Sequence, residues 1–431
     1  MSTLEATVLN SVGPALILAA CILFYFTIGG KRPLKKTIDM ELLNSRIFMY
    51  KPEPLVDCSK IDSSKTVIQY PAPDESNPEC LNLAKVNYLN FLNNSEIKKD
   101  AEQCIRKYGV GSCGPRGFYG TMDVHLTLEN QISKFMELEE TVVYSYGFST
   151  VSSAISAYCK RSDIIFCDEK IGFAAIQGFK ASKSTVVYFK HNDTDDLEIK
   201  LKEYKEKLSF QKKSCSKFLI VEGIYSATGL ICPLPKLMEL REKYKLRIFI
   251  DESLSFGVLG KKGRGVTEHF DVDRSNVDMI MGSLEGALGS VGGYCVGAYV
   301  IMEHQRLYGL GYCFSASLPP VLCQVAISAL DAMQKNPEII EQLQTLSYTV
   351  DGHLKNLKKY IVLSDPLSPL KVITTKSTRD RLEKISQIHA FCSQNSVYMI
   401  CDDGFLKFHL SITLKDSDID KLIRTLYDAA V

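Results

Sequence analysis

The feature that most limits how this chain can fold is a repeated switch of hydrophobic period between residues 141 and 281. Short apolar runs at Thr141–Tyr144, Asp163–Cys167, Thr185–Phe189, Phe218–Val221, Arg247–Ile250 and Met279–Met281 read as strands. Amphipathic stretches between them, such as Ser149–Lys160, Thr194–Lys207 and Leu234–Tyr244, read as helices. Strands that are apolar throughout need cover on both faces, and helical crossovers join parallel neighbours. The pattern predicts an α/β fold on a mainly parallel sheet with helices on both sides.

A second layer follows. An apolar-periodic helix over Leu318–Asn336 opens at Pro319-Pro320, and Leu343–Lys359, Arg379–Gln394 and Ser417–Ala430 also read as helices. Strands are expected near Val372, over Val397–Ile400 and over Leu406–Ile412. We therefore expect a large domain over 85–317, and a helix followed by a smaller α/β domain over 318–431. Residues 31–84 read as a charged, Pro-containing connector, with a short helix near Met40–Ser45 and turn-rich sequence from Tyr70 to Ala84.

The 25 residues from 6 to 30, between Glu5 and Lys31, carry no charge. As a helix they would span about 37 Å, enough for a hydrocarbon core of ~30 Å. A secretory signal would begin with basic residues and close on a small-residue cleavage site, and neither is present. A core helix would keep a polar face. Residues 11–30 are thus expected to form a transmembrane helix after a lumenal segment, 1–10. Lys31, Arg32, Lys35 and Lys36 follow at once, which puts the body on the cytosolic side.

Composition excludes several classes. A formal net charge of +1 without a long like-charge block is no footprint for nucleic acid. The fourteen cysteines include no Cys-x-x-Cys pair, and Cys21 and Cys167 lie in apolar runs, so they read as reduced, mostly buried thiols. His125, His191, His269, His304, His353, His389 and His409 lack metal-ligand spacing, and no metal site is expected. Asn-x-Ser/Thr matches at Asn93 and Asn192 would matter only in a lumenal body.

Seven motifs occur in order: Tyr108-Gly-Val-Gly-Ser-Cys-Gly-Pro-Arg-Gly-Phe-Tyr-Gly-Thr121 with His125, Leu128 and Glu129; Tyr144-Ser-Tyr-Gly-Phe148; Glu222-Gly-Ile-Tyr-Ser226; Asp251-Glu-Ser-Leu-Ser-Phe-Gly257; Gly263-Arg-Gly265 with Glu268-His269; Met281-Gly-Ser-Leu-Glu-Gly286-Ala-Leu-Gly-Ser-Val-Gly-Gly293; and Phe314-Ser-Ala-Ser-Leu-Pro-Pro320. Together they resemble the α-oxoamine synthases, pyridoxal-phosphate enzymes that condense an amino acid with an acyl-CoA. The resemblance implies the fold type I pyridoxal-phosphate transferase architecture. In that family the sixth motif reads roughly Gly-Thr-x-x-Lys-Ser-x-Gly-x-x-Gly-Gly, and its lysine carries the cofactor. Here that position is Gly286, which has no amine to offer, so no catalytic residue of the chain's own is expected.

Two further family contacts have changed. The cofactor-stacking histidine of Asp-x-x-x-His-Ala-Ser is Gly172, in Asp168-Glu-Lys-Ile-Gly172-Phe-Ala174, and the histidine of Asp-Glu-Ala-His is Leu254. Asp251 and Glu252 match that motif, Asp251 standing where the family pairs with the cofactor's pyridine nitrogen. It is either a vestigial cofactor contact or an acidic strand end bonded to nearby backbone or to an arginine. Lys407 falls about where the family holds the amino-acid carboxylate with arginine, and reads instead as a surface cation.

Other residues are candidates for a partner's site. By resemblance, Ser315 and Ala316 would reach a partner's cofactor phosphate; alternatively the serines of that turn cap the next helix. Cys113, Arg116 and Tyr119 on the glycine-rich loop would face the interface and substrate entry. Cys113 also reads as a packing residue, and Arg116 as either an anion contact or a structural cation.

Within the family the wording is closest in style to the lysine-less subunits of serine palmitoyltransferases. This implies a heterodimer in which a lysine-bearing second subunit holds pyridoxal 5'-phosphate and condenses L-serine with palmitoyl-CoA to 3-ketodihydrosphingosine. Small membrane regulatory subunits and an endoplasmic-reticulum membrane are implied with it. A scaffolding pseudoenzyme that only anchors and stabilises a catalytic partner is the competing expectation.

Overall fold

The computed structural model describes residues 80–211, 215–376 and 379–429. Strands β1 (Leu81–Asn82), β2 (Glu140–Tyr144), β3 (Ile164–Asp168), β4 (Thr185–Phe189), β5 (Lys217–Glu222), β6 (Arg247–Asp251), β7 (Met279–Ser283) and β8 (Gly293–Gly297) come first. After them are β9 (Tyr360–Val362), β10 (Leu370–Thr375), β11 (Val397–Tyr398), β12 (Ile400–Asp402) and β13 (Phe405–His409). The larger sheet has the order β2-β8-β7-β6-β5-β3-β4. Within it β8 runs antiparallel to both neighbours and the remaining pairs are parallel.

Strand alternation sends successive side chains to opposite faces, and the two faces meet different cores. Ile164, Phe166, Leu219, Val221, Ile248 and Ile250 join one buried cluster. Ile165, Cys167, Phe218, Ile220, Phe249 and Met281 join another. Burial on both faces explains why these strands read as continuous apolar runs.

The covering helices are α1 (Ser95–Tyr108), α2 (Asp123–Met136), α3 (Gly147–Tyr158), α4 (Phe173–Ser182), α5 (Thr194–Gln211), α6 (Leu234–Tyr244), α7 (Tyr299–Tyr308) and α8 (Pro320–Lys335). The smaller layer comprises α9 (Glu338–Asn356), α10 (Arg381–Gln394) and α11 (Asp416–Ala429) around a second sheet, β12-β13-β10-β9. Its core includes Val350, Leu354, Ile373, Ile385, Phe408 and Leu422.

The structure departs from the sequence reading at several places, and the strand expected over Val397–Ile400 divides at Met399 into β11 and β12, which join different sheets. β8, in Gly293-Tyr-Cys-Val-Gly297, was not expected as a strand, because glycines at both ends hide a three-residue apolar run. The helix expected to run to Lys359 stops at Asn356, where Leu357 leaves helical geometry and the chain turns into β9. Part of the expected connector over 31–84 is core: β1 pairs in parallel with β11, and Leu81 and Leu83 are buried in the smaller layer. The transmembrane helix expected over 11–30 lies outside the described residues. Among those described, no helix is long and apolar enough to cross a membrane. All twelve described cysteines are free thiols, and Cys167 is fully buried.

Candidate functional site

The parallel strands end together, and their C-terminal ends carry the chemistry. Glu222 closes β5 and Asp251 closes β6; the two are register partners on adjacent strands, so their carboxylates stand side by side. A cavity of about 250 Å³ opens here, walled by Phe148, Val151, Phe173, Ile224 and Leu254, with Ser283 at the end of β7. Outside the carboxyl ends of the strands is where open α/β sheets bind ligands.

Each acid is held. Glu222 accepts from the N–H of Gly172 and, at 2.7 Å, from that of Ser226. One Asp251 oxygen accepts from the Ser253 N–H at 2.9 Å and its hydroxyl at 2.5 Å. Asp251 is thus bonded to the turn that follows it, the second of the two expectations for this residue. Burial, and then the neighbouring Asp251 charge, push Glu222 up to about 8. Burial also raises Asp251. Two carboxylates this close, out of water and without a cation, cannot both ionise cheaply. Glu252 is fully buried and bonded away from the cavity, to the Ser255 hydroxyl and the Val266 N–H.

Pyridoxal phosphate needs an amine, a stacking ring and compensation for its phosphate. The fit fails on the first two. A Cβ at Gly286 would meet Tyr88 Cε2 at 3.3 Å and the Ser253 carbonyl oxygen at 3.6 Å, so Tyr88 stands beside the space a lysine would use. A Cβ at Gly172 would lie 2.6 Å from Glu222 Oε1, so a side chain there would require the glutamate carboxylate to shift. The lining holds Glu222, Asp251 and Glu285 but no Lys, Arg or His. These residues do not form a covalent pyridoxal-phosphate site.

A different arrangement surrounds the glycine-rich loop. The Ser112 hydroxyl donates to the Ser317 carbonyl at 2.6 Å, and the Ser317 N–H and hydroxyl donate back to the Gly114 carbonyl at 2.9 and 3.0 Å. The Ser145 hydroxyl donates to the Ala316 carbonyl. His125 Nδ1 accepts from the Met122 N–H at 3.0 Å, which leaves Nε2 to donate to the Leu318 carbonyl at 2.7 Å. At Gly120 a Cβ would collide with the Gly114 carbonyl oxygen. The loop and the Phe314–Pro320 segment thus form one bolted platform.

On that platform the expected contact residues separate. Arg116 is buried and bidentate to Glu129, at 2.8 and 2.9 Å, with Nε donating to Thr121 at 3.0 Å. Its expected anion contact is corrected: the guanidinium is spent inside the protein. Tyr119 is fully exposed at φ 63°, and Cys113 is exposed at φ 61°. Phe118, beside Tyr119, is 71% exposed and Phe314 is 80% exposed. Ser315 is half-buried and Ala316 exposed. Lys407, expected as a surface cation, is half-buried and paired with Asp402 at 2.6 Å.

In the sequence Glu222 stands out only as part of the Glu222–Ser226 motif. Its place at a strand end level with Asp251 was the available signal. Ser112, Ser145 and Tyr88 had no local signal, because their partners lie 205, 171 and 321 residues away.

Sheet order, the cavity at the strand ends and the strand-end acid define a fold type I pyridoxal-phosphate transferase scaffold. Residues 78–426 match the family "Aminotransferase class I and II". Long chain base biosynthesis protein 1b of Oryza sativa subsp. japonica is 39% identical over 372 residues, covering 84% of this chain and 76% of the relative. Serine palmitoyltransferase 1 of Dictyostelium discoideum is 39% identical over 383 residues, covering 84% and 79%. Among solved structures, Sphingomonas wittichii serine palmitoyltransferase superposes with a TM-score of 0.74 at 22% identity, covering 81% of this chain and 87% of that one. The chain belongs to the serine palmitoyltransferase 1 and long-chain-base biosynthesis protein 1 branch of the class I and II aminotransferase family.

Proposed function

We propose that this chain is the non-cofactor subunit of a heterodimeric serine palmitoyltransferase. In this reading a lysine-bearing second subunit holds the pyridoxal phosphate and condenses L-serine with palmitoyl-CoA, releasing carbon dioxide and CoA and giving 3-ketodihydrosphingosine. The observation that carries it is Gly286 between β7 and β8, with no lysine in the cavity lining. The bound cofactor would supply the electron sink for the carbon–carbon bond. This chain's part is to present Tyr119, Cys113, Ser315 and Ala316 from a rigid platform to the shared site. The uncharged stretch over 11–30 would hold the assembly in the endoplasmic-reticulum membrane, where a long acyl chain is delivered, with the body in the cytosol. Small membrane regulatory subunits would act on that assembly.

The test is serine-dependent condensation of palmitoyl-CoA in membranes from cells lacking their own enzyme. Silence from this chain alone, and turnover with a lysine-bearing partner, is the expected result. Turnover from this chain by itself would overturn the proposal. A purely scaffolding role gains some support from Arg116, which is unavailable to a substrate. It predicts that Tyr119→Ala and Ser315→Ala leave turnover untouched, and a fall in kcat with intact assembly excludes it.

A further inference from the structure

The parallel strands have a second end, away from the cavity, and it is basic. In the neighbouring strands β6-β5-β3-β4, Lys245 and Arg247 stand at the start of β6, Lys217 at that of β5, Lys160 and Arg161 before β3, and Lys183 before β4. The register sets these starts level, because Ile164 faces both Thr185 and Lys217, and Phe218 faces Arg247. Four strands spaced ~4.8 Å apart make this rim roughly 15 Å wide.

Part of the charge serves the fold. Lys160 Nζ donates to the Ala157 carbonyl at 2.6 Å, and Lys217 Nζ donates to the Tyr244 carbonyl, so both satisfy helix C-terminal oxygens. Lys183 and Lys245 stand just past the ends of α4 and α6, where the helix dipole favours a cation. No helix end accounts for Arg161 and Arg247. Both are exposed, and like Lys183 and Lys245 they have no ion pair or side-chain hydrogen bond among the described residues. The Arg247 guanidinium rests only over the Phe218 ring, at 5.9 Å.

Nearby carboxylates leave the rim unpaired. Asp163 is buried and spends its oxygens on backbone, accepting from the Lys160 N–H at 2.9 Å and the Ser216 N–H at 3.1 Å. The Ser184 hydroxyl donates to the Lys160 carbonyl at 2.7 Å, so the lead-ins to β3, β4 and β5 are fastened to one another and carry their cations on a fixed frame. Glu242, three residues before Lys245, is the exposed acid nearest to the rim in the chain. Burial, and then the Lys205 and Lys245 charges, lower the Lys217 ammonium. Past β6 the sign turns: Asp278, leading into β7, pairs with Arg241 at 3.4 Å and accepts from the Ile248 N–H at 2.8 Å.

The whole chain carries a formal net charge of only +1, so this concentration is local. A rim wider than one phosphate group, held rigid and without counter-charges, fits an extended anionic surface. Each cation close to an anionic lipid surface is worth about a fivefold change in partition. We propose that the N-terminal ends of β3, β4, β5 and β6 dock on the anionic headgroups of a membrane through Arg161, Lys183, Lys245 and Arg247, a step that rests on the membrane-held reading of this chain.

The test places the full-length chain, in its detergent-purified assembly, in nanodiscs of phosphatidylcholine alone or mixed with phosphatidylserine. Lysines are then acylated with a water-soluble active ester and read by mass spectrometry. Labelling of Lys183 and Lys245 should fall at least about fivefold in the anionic discs, and should recover in high salt, which screens exposed charges. Lys170, exposed just past the other end of β3, should label alike in both discs. Arg161→Glu combined with Arg247→Glu should abolish the protection, and Arg161→Glu alone, the safeguard should the pair fail to fold, should weaken it. Equal labelling of Lys183 and Lys245 in the two discs would overturn the proposal. Protection already present in detergent would also overturn it, because a protein subunit would then cover the rim, and so would protection that survives the double reversal. A chain that stays out of neutral discs would refute the membrane-held reading instead, and labelling with phosphatidylserine vesicles added would then decide the docking.

Discussion

The cavity at the strand ends and the platform around the glycine-rich loop belong to one scaffold, yet they have been treated in opposite ways. By the family resemblance the positions of the lysine and of the stacking ring fall at Gly286 and Gly172, and Glu222 Oε1 lies 2.6 Å from where a Cβ on Gly172 would sit. On the platform, two segments about 200 residues apart remain bolted by Ser112, Ser317, Ser145 and His125. The first region lost functional groups without losing its architecture. The second keeps a strained, fully exposed tyrosine at φ 63°. Backbone strain persists where surrounding structure enforces it, and the bolted platform enforces it at Tyr119.

The largest expected effect comes from unfastening the platform. Arg116→Ala would leave Glu129 buried without its counter-charge, and removing one partner of a buried pair costs about 3–5 kcal/mol. Glu129 also accepts from the Val143 N–H at 2.9 Å, so the loss spreads to β2 at the sheet edge. A large fall in the denaturation midpoint, with loss of assembly and turnover, is expected. A variant with the parent's midpoint would show that the pair does not fasten the loop.

Next in size is a pH effect confined to the cavity. The Glu222 carboxyl rises from 4.5 to about 8 on folding. The folded chain therefore keeps a proton that the unfolded chain releases, and stability from this group declines as pH rises from 4.5 to 8. Glu222→Gln should flatten the dependence of melting temperature on pH across that window. His409 works in the opposite direction in the smaller layer. Burial depresses it from 6.5 to about 4, so its contribution is lost as pH falls between those values. A slope between pH 4.5 and 8 unchanged by Glu222→Gln would break the account of the acid pair.

Tyr119→Gly should have a smaller effect of mixed sign. Relieving left-handed geometry at a non-glycine residue is worth about 1 kcal/mol, offset in part by glycine's greater freedom when unfolded. Stability should stay level or rise slightly while kcat of the assembly falls. Unchanged kcat would remove Tyr119 from the shared site.

Much of this contrast was legible in the sequence, for reasons that differ by region. Parallel strands buried on both faces announce themselves as apolar runs, and Thr185–Phe189 and Leu234–Tyr244 fall where the pattern places them. β8 was hidden because its glycines carry no periodic signal. Losses at Gly286 and Gly172 are visible in single positions, since a missing side chain needs no partner to be noticed. The fate of Arg116 was not legible. An arginine in a glycine-rich loop reads alike whether it faces a substrate or a glutamate, and only the packing of α2 against β2 puts Glu129 beside it.

The smallest expected effect is the most discriminating. Gly286→Lys restores the one group that the family's chemistry cannot lack, and if the cavity differed from a working site by that residue alone, the variant would take up pyridoxal phosphate. The surroundings argue otherwise. Tyr88 borders the path of the new side chain, buried and bonded to His409 at 3.0 Å. At Gly172 no ring can stack on a cofactor until Glu222 moves, and the lining offers three carboxylates and no cationic side chain to a phosphate ester. Losses that have been filled in are not reversed singly. Gly286→Lys should therefore fold, show no cofactor absorption and remain silent without a partner. Cofactor absorption from this variant would mean that the cavity still holds a site awaiting its lysine, and the contrast with the platform would shrink to one side chain.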